Sequence, residues 1–476
     1  IRGVLPNNLR SARNFANLGV TLLQDSDARA KLEPGTEEFN DEFNRLRSTY
    51  DFEDGAGIKD NSTLTHLEAG YTLNEFLNTT DLTFGGSFRF YDLQSSGTIF
   101  PDTSGNDITN YRYGGYIQAE TQLLEDRLNI DAALRVDVNE NFDPAISPQL
   151  GANWRIGDDQ YIRASYQYGF RFPTVREQFL NQNLGNGRLL GGLSENLSRY
   201  RIAGNAVYEQ TLDRFTQAVI DEMNDATLDP DESITREQAE LIHLGILEDG
   251  IIGEDKVGSI RPEKTHAFEV GYSNLFSTNL FVDLNYFVSF YTDFIGLTRA
   301  IKPRTSPSVD LFSAAGQLNN ATQSDRFYYY SNASDRVSVH GFSFDLRQQA
   351  GLFFFGLNGT YTQLVKGSDD PLIPGFNTPP FKFNLEWGNR KISENVGFKM
   401  VYRYRTSYSW RSPFLDGELG EFGHFDFQVN TRIPQINSMI KAGLTNMGIK
   451  KYSNVFGGPA IGSIIFATFT YNPGML

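Results

Sequence analysis

Over nine to eleven residues at a time, apolar and polar side chains in this chain swap at every position. Phe381, Phe383, Leu385 and Trp387 stand on one side of such a segment, and Lys382, Asn384, Glu386 and Gly388 on the other. Successive side chains of a strand point to opposite faces, so the segment has one apolar and one wet face. A soluble sandwich strand shows the same alternation. Strands of about ten residues recurring along most of a chain, however, match a bilayer crossed at a tilt. The pattern predicts an all-β fold, a transmembrane antiparallel β-barrel of the bacterial outer membrane.

Composition fits a wall that is apolar on one face only. Hydrophobic residues make up 39% of the chain, the mean hydropathy is -0.39, and no apolar run approaches the roughly eighteen residues of a membrane helix. The 38 Phe and 23 Tyr exceed what a soluble core of this size needs and suit the boundary between lipid and water. Cysteine is absent, which removes thiolate metal sites and disulfides. A net charge of -16 repels a phosphate backbone and argues against nucleic acid as a partner.

Strands are predicted at about 63–73, 82–92, 111–122, 128–138, 146–155 and 160–169, and then at 264–274, 280–296, 336–348, 352–364, 380–389, 395–405, 422–432, 439–447 and 462–471. The connections alternate short and long. Short ones lie around Gly157-Asp158-Asp159, Leu275-Phe276-Ser277-Thr278, Gln348-Gln349-Ala350-Gly351 and Pro434-Gln435-Ile436-Asn437. Long ones cover about 93–110, 170–263, 297–335, 366–378, 406–421 and 448–460. Outer-membrane barrels keep tight periplasmic turns and extended external loops. On that rule residues 1–60, with helical spacing over Ala12–Leu32 and Thr36–Leu46, form an external loop, and 61–476 form barrel. A closed barrel with both ends periplasmic needs an even number of strands, and about fifteen are visible. Further strands are expected ahead of Ile1, from an N-terminal part or a separate chain, because an open edge in lipid is too costly. The start at Ile1, without initiator Met or signal peptide, fits a mature or truncated form.

The segment Arg163-Ala164-Ser165-Tyr166-Gln167-Tyr168-Gly169-Phe170-Arg171-Phe172-Pro173-Thr174 precedes a long loop, and Ile260-Arg261-Pro262-Glu263-Lys264 follows it, leading into Phe268-Glu269-Val270-Gly271-Tyr272. With Leu444-Thr445-Asn446-Met447 and Phe456-Gly457-Gly458-Pro459 near the end, this order resembles the TonB-dependent receptors of Bacteroidota-type bacteria over nearly the whole chain. Gly169, Phe170, Arg171, Pro173 and Thr174 match the family's rim motif. The resemblance implies a 22-stranded barrel around an N-terminal plug, the visible strands being roughly the eighth to the twenty-second. It further implies import of a scarce solute, a siderophore, oligosaccharide, peptide or similar, driven through the TonB complex by an N-terminal region ahead of Ile1. Phe469 and Tyr471 are the expected assembly-signal aromatics.

Inward positions carry Arg135, Asp137, Glu269, Asp283, Asp345, Arg347, Lys382, Glu386, Lys399, Arg403 and Arg405. They either grip a plug and define a transport path or simply face water in a hydrated lumen. Tyr328, Tyr329 and Tyr330, after Phe327, and Tyr408 with Trp410 fall near outer strand ends. They either stack on flat ligands or belong to the aromatic girdle. The 170–263 insertion is too long for a mere connector. Helices are expected within it at Tyr208–Met223 and Thr235–Leu247, the second opened by a Thr235-x-x-Gln238 capping box; the pair is either a lid, a docking surface for a partner such as a surface lipoprotein, or an ornamental loop. Asp229 to Glu240 mimics a calcium loop, but Ile234 stands where glycine is required. Gly185-Asn186-Gly187 and Gly191-Gly192 lack the strand-to-helix setting of a phosphate cradle. The five His, at 66, 243, 266, 340 and 424, are scattered, and nothing assembles a nucleophile system, so neither a cofactor nor enzymatic activity is expected. A second reading is a receptor-like barrel acting as a structural or docking subunit of a larger envelope assembly.

Overall fold

The computed structural model describes residues 32–472, apart from 51–54, 78, 104, 186, 229–249, 254–256, 278, 309, 368–369, 414 and 449–450. Helix α1 (Glu37–Ser48) begins at Thr36, whose hydroxyl accepts from the Phe39 N–H. The strands β1 (Thr63–Leu73), β2 (Thr80–Leu93), β3 (Ile108–Leu123), β4 (Leu128–Asn139), β5 (Phe142–Arg155) and β6 (Gln160–Arg171) follow. The next segment holds α2 (Val175–Phe179), β7 (Asn181–Asn183), β8 (Arg188–Leu190), α3 (Ser194–Arg199), β9 (Val207–Tyr208) and α4 (Leu212–Leu228). Then come β10 (Glu263–Phe276), β11 (Leu280–Thr292), β12 (Ile295–Pro303), α5 (Leu311–Leu318), β13 (Ser324–Asn332), β14 (Val337–Ala350) and β15 (Phe353–Val365). The chain finishes with β16 (Phe381–Asn389), β17 (Val396–Arg405), β18 (Tyr408–Trp410), β19 (Gly417–Leu419), β20 (Phe422–Ile433), β21 (Ser438–Met447) and β22 (Ile464–Tyr471).

Fifteen strands form one antiparallel sheet in the order β1-β2-β3-β4-β5-β6-β10-β11-β14-β15-β16-β17-β20-β21-β22. Each strand pairs with its nearest sequence neighbour in the wall, because tight turns leave no other partner within reach. Period-2 alternation fixes the register: Leu357, Leu385 and Tyr402 stand side by side on the outward face, and Asn358, Asn384 and Arg403 on the inward one. A one-residue slip would turn every apolar side chain inward. The outward face is open, with Leu67 at 64% and Val270 at 56% exposure. No helix among the described residues is long and apolar enough to cross a membrane.

The well-buried apolar clusters lie instead among the long connections at one end of the wall. Strands β7-β8-β13-β12-β9 form a five-stranded sheet. One cluster packs Leu190, Ala300, Phe327 and Tyr329 against Leu197, Ile202 and Ile252. Another packs Ile301 and Val207 against Phe215 and Val219 of α4 and Leu311, Ala315 and Leu318 of α5. These segments thus form a folded cap with its own dry core.

Three expectations need correction. The strand expected over 280–296 stops at Thr292: Asp293 adopts a left-handed φ of 54°, turning the chain out of the wall, and Ile295 starts β12 of the cap. The alternation of connection lengths has an exception, since β4 and β5 are joined at the long-loop end by residues 140–141 alone. The region 170–263, expected as a loop with helices, and 297–335, expected as a plain long connection, contribute to a five-stranded sheet. The helix expected at Tyr208–Met223 is present as α4, and that at Thr36–Leu46 as α1. Those expected at Ala12–Leu32 and Thr235–Leu247, and the calcium-like stretch 229–240, fall outside the described residues.

Candidate functional site: the inner face and its rim

The inward face is lined by ion pairs that run across the strands. Asp137 on β4 is buried at 1% exposure and is bracketed by Arg135, at 2.5 and 2.8 Å, and by Arg112 of β3, at 3.2 Å. Arg163 on β6 reaches over β10 to Asp283 on β11 with two parallel bonds of 2.8 and 2.9 Å. Such a bridge needs a floor without a side chain. Gly271 of β10 supplies it, for a Cβ there would sit 2.5 Å from the Arg163 Cζ. Gly114 plays the same part beneath Asp137, where a Cβ would lie 2.5 Å from Oδ1.

Further round the wall, Lys399 bonds Glu386 at 2.9 Å, and Arg347 bonds Asp345 on its own strand. Arg403 donates to Asp426 at 2.7 Å and to Asn384 at 3.3 Å. Arg405 donates to the Ser453 carbonyl at 2.9 Å, which draws the 448–463 connection against the inner face. There Tyr452 stacks on Phe422 with centroids 4.3 Å apart and lies beside His424. Glu269 and Lys382 form no ion pair among the described residues. Paired charges of this kind suit a hydrated interior, since the arginines and lysine keep contact with water while each carboxylate is partnered.

At the long-loop end the two halves of the rim motif meet. Arg171 and Glu263 are direct cross-strand partners of β6 and β10, although the whole insertion separates them in sequence. Arg171 donates to Glu177 at 2.7 and 3.0 Å, and Glu263 lies 3.6 Å away. Glu177 is the third residue of α2 and closes a capping box with Thr174: its carboxylate accepts the Thr174 N–H at 2.7 Å, and the Thr174 hydroxyl accepts the Glu177 N–H at 3.1 Å. Pro173 ends the strand, and its carbonyl accepts from the buried Gln178 side chain at 2.7 Å. Gly169 and Phe170 are the last wall residues before this clasp, and Phe170 packs on Phe172. Gly191 and Gly192 close it from the cap, donating to the Leu180 and Glu177 carbonyls at 2.6 and 2.7 Å; their bare backbones allow that approach.

The aromatic candidates divide. Tyr329 is 1% exposed within the cap core; burial, together with its contact to Tyr208, pushes its phenol well above the usual range. Tyr328 is 5% exposed and packs with Leu180 and Leu189. Neither offers a ring face to a ligand unless the cap opens. Tyr330 is partly exposed beside that cluster. Tyr408 and Trp410 form the β18–β19 hairpin, where Arg405 lies 5.1 Å over the Tyr408 ring. Arg299 of β12 ties this hairpin to the cap, bonding both Asp416 oxygens at 2.6 Å and the Ser412 carbonyl at 2.5 Å.

Sequence reasoning missed Arg112, Arg163, Glu177, Asp416 and Asp426 as site partners. Strand parity already placed Arg112, Arg163 and Asp426 inward, and glycines at inward positions were a further readable signal.

Among curated proteins none matches the sequence. The fold is similar to solved structures. The siderophore receptor PirA from Acinetobacter baumannii superposes with a TM-score of 0.53 at 13% identity, covering 86% of this chain and 54% of that one. The FrpB iron transporter from Neisseria meningitidis gives 0.54 at 12% identity, with 86% and 56% covered. The copper transporter OprC gives 0.53 at 13%, with 86% and 57% covered. The chain thus spans just over half the length of these structures. Residues 5–447 match the family described as TonB dependent receptor-like, beta-barrel. With that match over an antiparallel wall that is apolar outside and charged inside, the chain belongs to the TonB-dependent receptor β-barrel family and is an outer-membrane protein.

Proposed function

We propose that this chain supplies the larger part of the wall, and the outer cap, of an importer that moves a scarce solute across the outer membrane by TonB-dependent opening of a plugged pore. The observation that supports this most directly is the pairing of an ion-lined inner face with a folded cap on the rim of the same wall. A water-filled conduit roofed by protein admits only what the cap captures. In this reading the long connections face outside, and the described residues before 61 belong to the external loop expected over 1–60. Glu269, Lys382 and the arginines of the inner face meet a plug, which comes, like the strands that complete a 22-stranded barrel, from an N-terminal part or a separate chain. The order of the Gly169–Thr174 and Pro262-Glu263-Lys264 motifs supports a receptor of the Bacteroidota type.

The solutes named for the similar structures are a siderophore, iron and copper; for this chain the class is a solute too large for general porins. Uptake by cells producing the complete receptor is expected to stop when the proton gradient is collapsed. Persistence of uptake under a protonophore would overturn the proposal. A second reading, a docking subunit in an envelope assembly with a surface lipoprotein seated on the cap, is favoured by the cap's own dry core. It predicts stoichiometric co-purification of that partner and unchanged uptake on deletion.

A further inference from the structure

The cap gathers three arginines around one concavity of an acidic chain. A cavity of about 660 Å³ opens beside the start of β13 and the β7–β8 turn, lined by Arg188, Arg304 and Arg326 together with Asn183, Tyr200 and Asp325. Their charges are incompletely answered. Arg188 spends one N–H on the neutral Asn181 amide at 2.9 Å and lies 5.2 Å over the Tyr200 ring. The Arg304 side chain has no hydrogen bond or ion pair among the described residues. Arg326 is 46% exposed and stands 3.7 Å from Glu209. Asp325 is the single carboxylate of the lining. In a chain of net charge -16, three guanidinium groups converge on one concavity, and among the described residues only Arg326 of the three has a carboxylate within ion-pair distance. Planar guanidinium forks match oxyanions bidentately.

We propose that this cavity is a binding site for a multiply charged oxyanion, a phosphate-, sulfate- or polycarboxylate-bearing solute, held by Arg188, Arg304 and Arg326. Asp325 opposes the bound anion by repulsion and so holds the affinity of the site down. The proposal rests on the cap being reachable from solution, as in the import reading, but not on import itself, so binding to the purified protein tests it apart from transport.

The experiment is isothermal titration of the detergent-solubilised full chain with sodium pyrophosphate at low and at physiological salt, chloride serving as control. Saturable binding is expected, weakening with salt. R304E, at an exposed position, should weaken it at least tenfold, and R188Q combined with R304Q should abolish it. D325N should tighten it severalfold, a change that general loss of structure does not produce. No saturable binding by the unmodified chain, or binding that R304E and the double variant leave unchanged, would overturn the proposal. Pyrophosphate binding with D325N weaker than the parent would overturn the role given to Asp325.

Discussion

Leu385 is the sharpest place to ask whether the apolar face meets lipid. It is the fifth of the nine residues of β16. At ~3.3 Å per residue these extend about 26 Å, and with a tilt of about 40° they cover roughly 20 Å of height, most of the ~25 Å apolar band of such barrels. Leu385 therefore lies near the middle of the band. It is 48% exposed, and its lateral partners Leu357 and Tyr402 offer no counter-charge. Leu385→Arg is expected to destabilise the protein by about 2–4 kcal/mol, the cost of a cation at the bilayer midplane. Ser343→Arg, on the inward face between Asn285 and Thr360, adds the same side chain to a polar surface close to Asp345; its cost should stay below ~1 kcal/mol. Urea unfolding of the protein in phosphatidylcholine vesicles, followed by tryptophan fluorescence, measures both. Equal costs for the two variants, or tolerance of Leu385→Arg within ~0.5 kcal/mol, would refute the assignment of faces.

Other outcomes follow from the site. Gly271→Ala should displace the Arg163 fork from Asp283 and cost about 1–2 kcal/mol, whereas the same change in an Arg163→Ala background should be nearly neutral; additive costs in a double-mutant cycle would count against the floor role of Gly271. Arg299→Met should leave Asp416 half-buried without its partner, cost about 1–3 kcal/mol, and raise amide exchange in the 406–421 hairpin while leaving exchange in β14 and β15 unchanged. Asp102 is held below the usual carboxylate range: burial alone would raise its pKa, but hydrogen bonds from the Ser95 hydroxyl and the N–H groups of Gly97, Ser95 and Ser96 outweigh it. The order it gives the 94–107 connection should be fully present above the ordinary carboxylate pKa and be lost as pH falls through the lowered value. Exchange of those amides that is flat down to strong acid would contradict this. Glu177→Gln keeps the capping hydroxyl of Thr174 but halves the hold on Arg171, and should loosen α2 by about 1 kcal/mol, seen as faster exchange at Gln178.

The wall was legible because a bilayer leaves the sequence few choices. Every strand of the fifteen-stranded sheet lies within a few residues of its expected position, since lipid demands an apolar side chain at alternate sites and water demands a polar one between them. The cap was not legible. Strands such as Asn181–Asn183 and Arg188–Leu190 are too short for any periodicity to show, and they exist because distant segments pack on one another. The same holds for Tyr329. A run of aromatic residues at a strand end suits a ligand platform, a girdle or a core equally well, and only the partners Leu197, Ile202 and Ile252 decide among them. The ion pairs stand between these extremes: parity put Arg163 and Asp283 on one face, but not the glycine-floored reach across an intervening strand.

The register that sets Arg171 opposite Glu263 brings the two ends of the 172–262 excursion side by side. Whatever length or sequence that excursion takes, its closure is already secured by the ladder beneath it, so exchange of the segment keeps the wall in register while stripping β12, β13 and α5 of the partners they share with it in the cap. A chimera that keeps both the ladder and the cap core must therefore carry the 172–262 and 293–336 connections together.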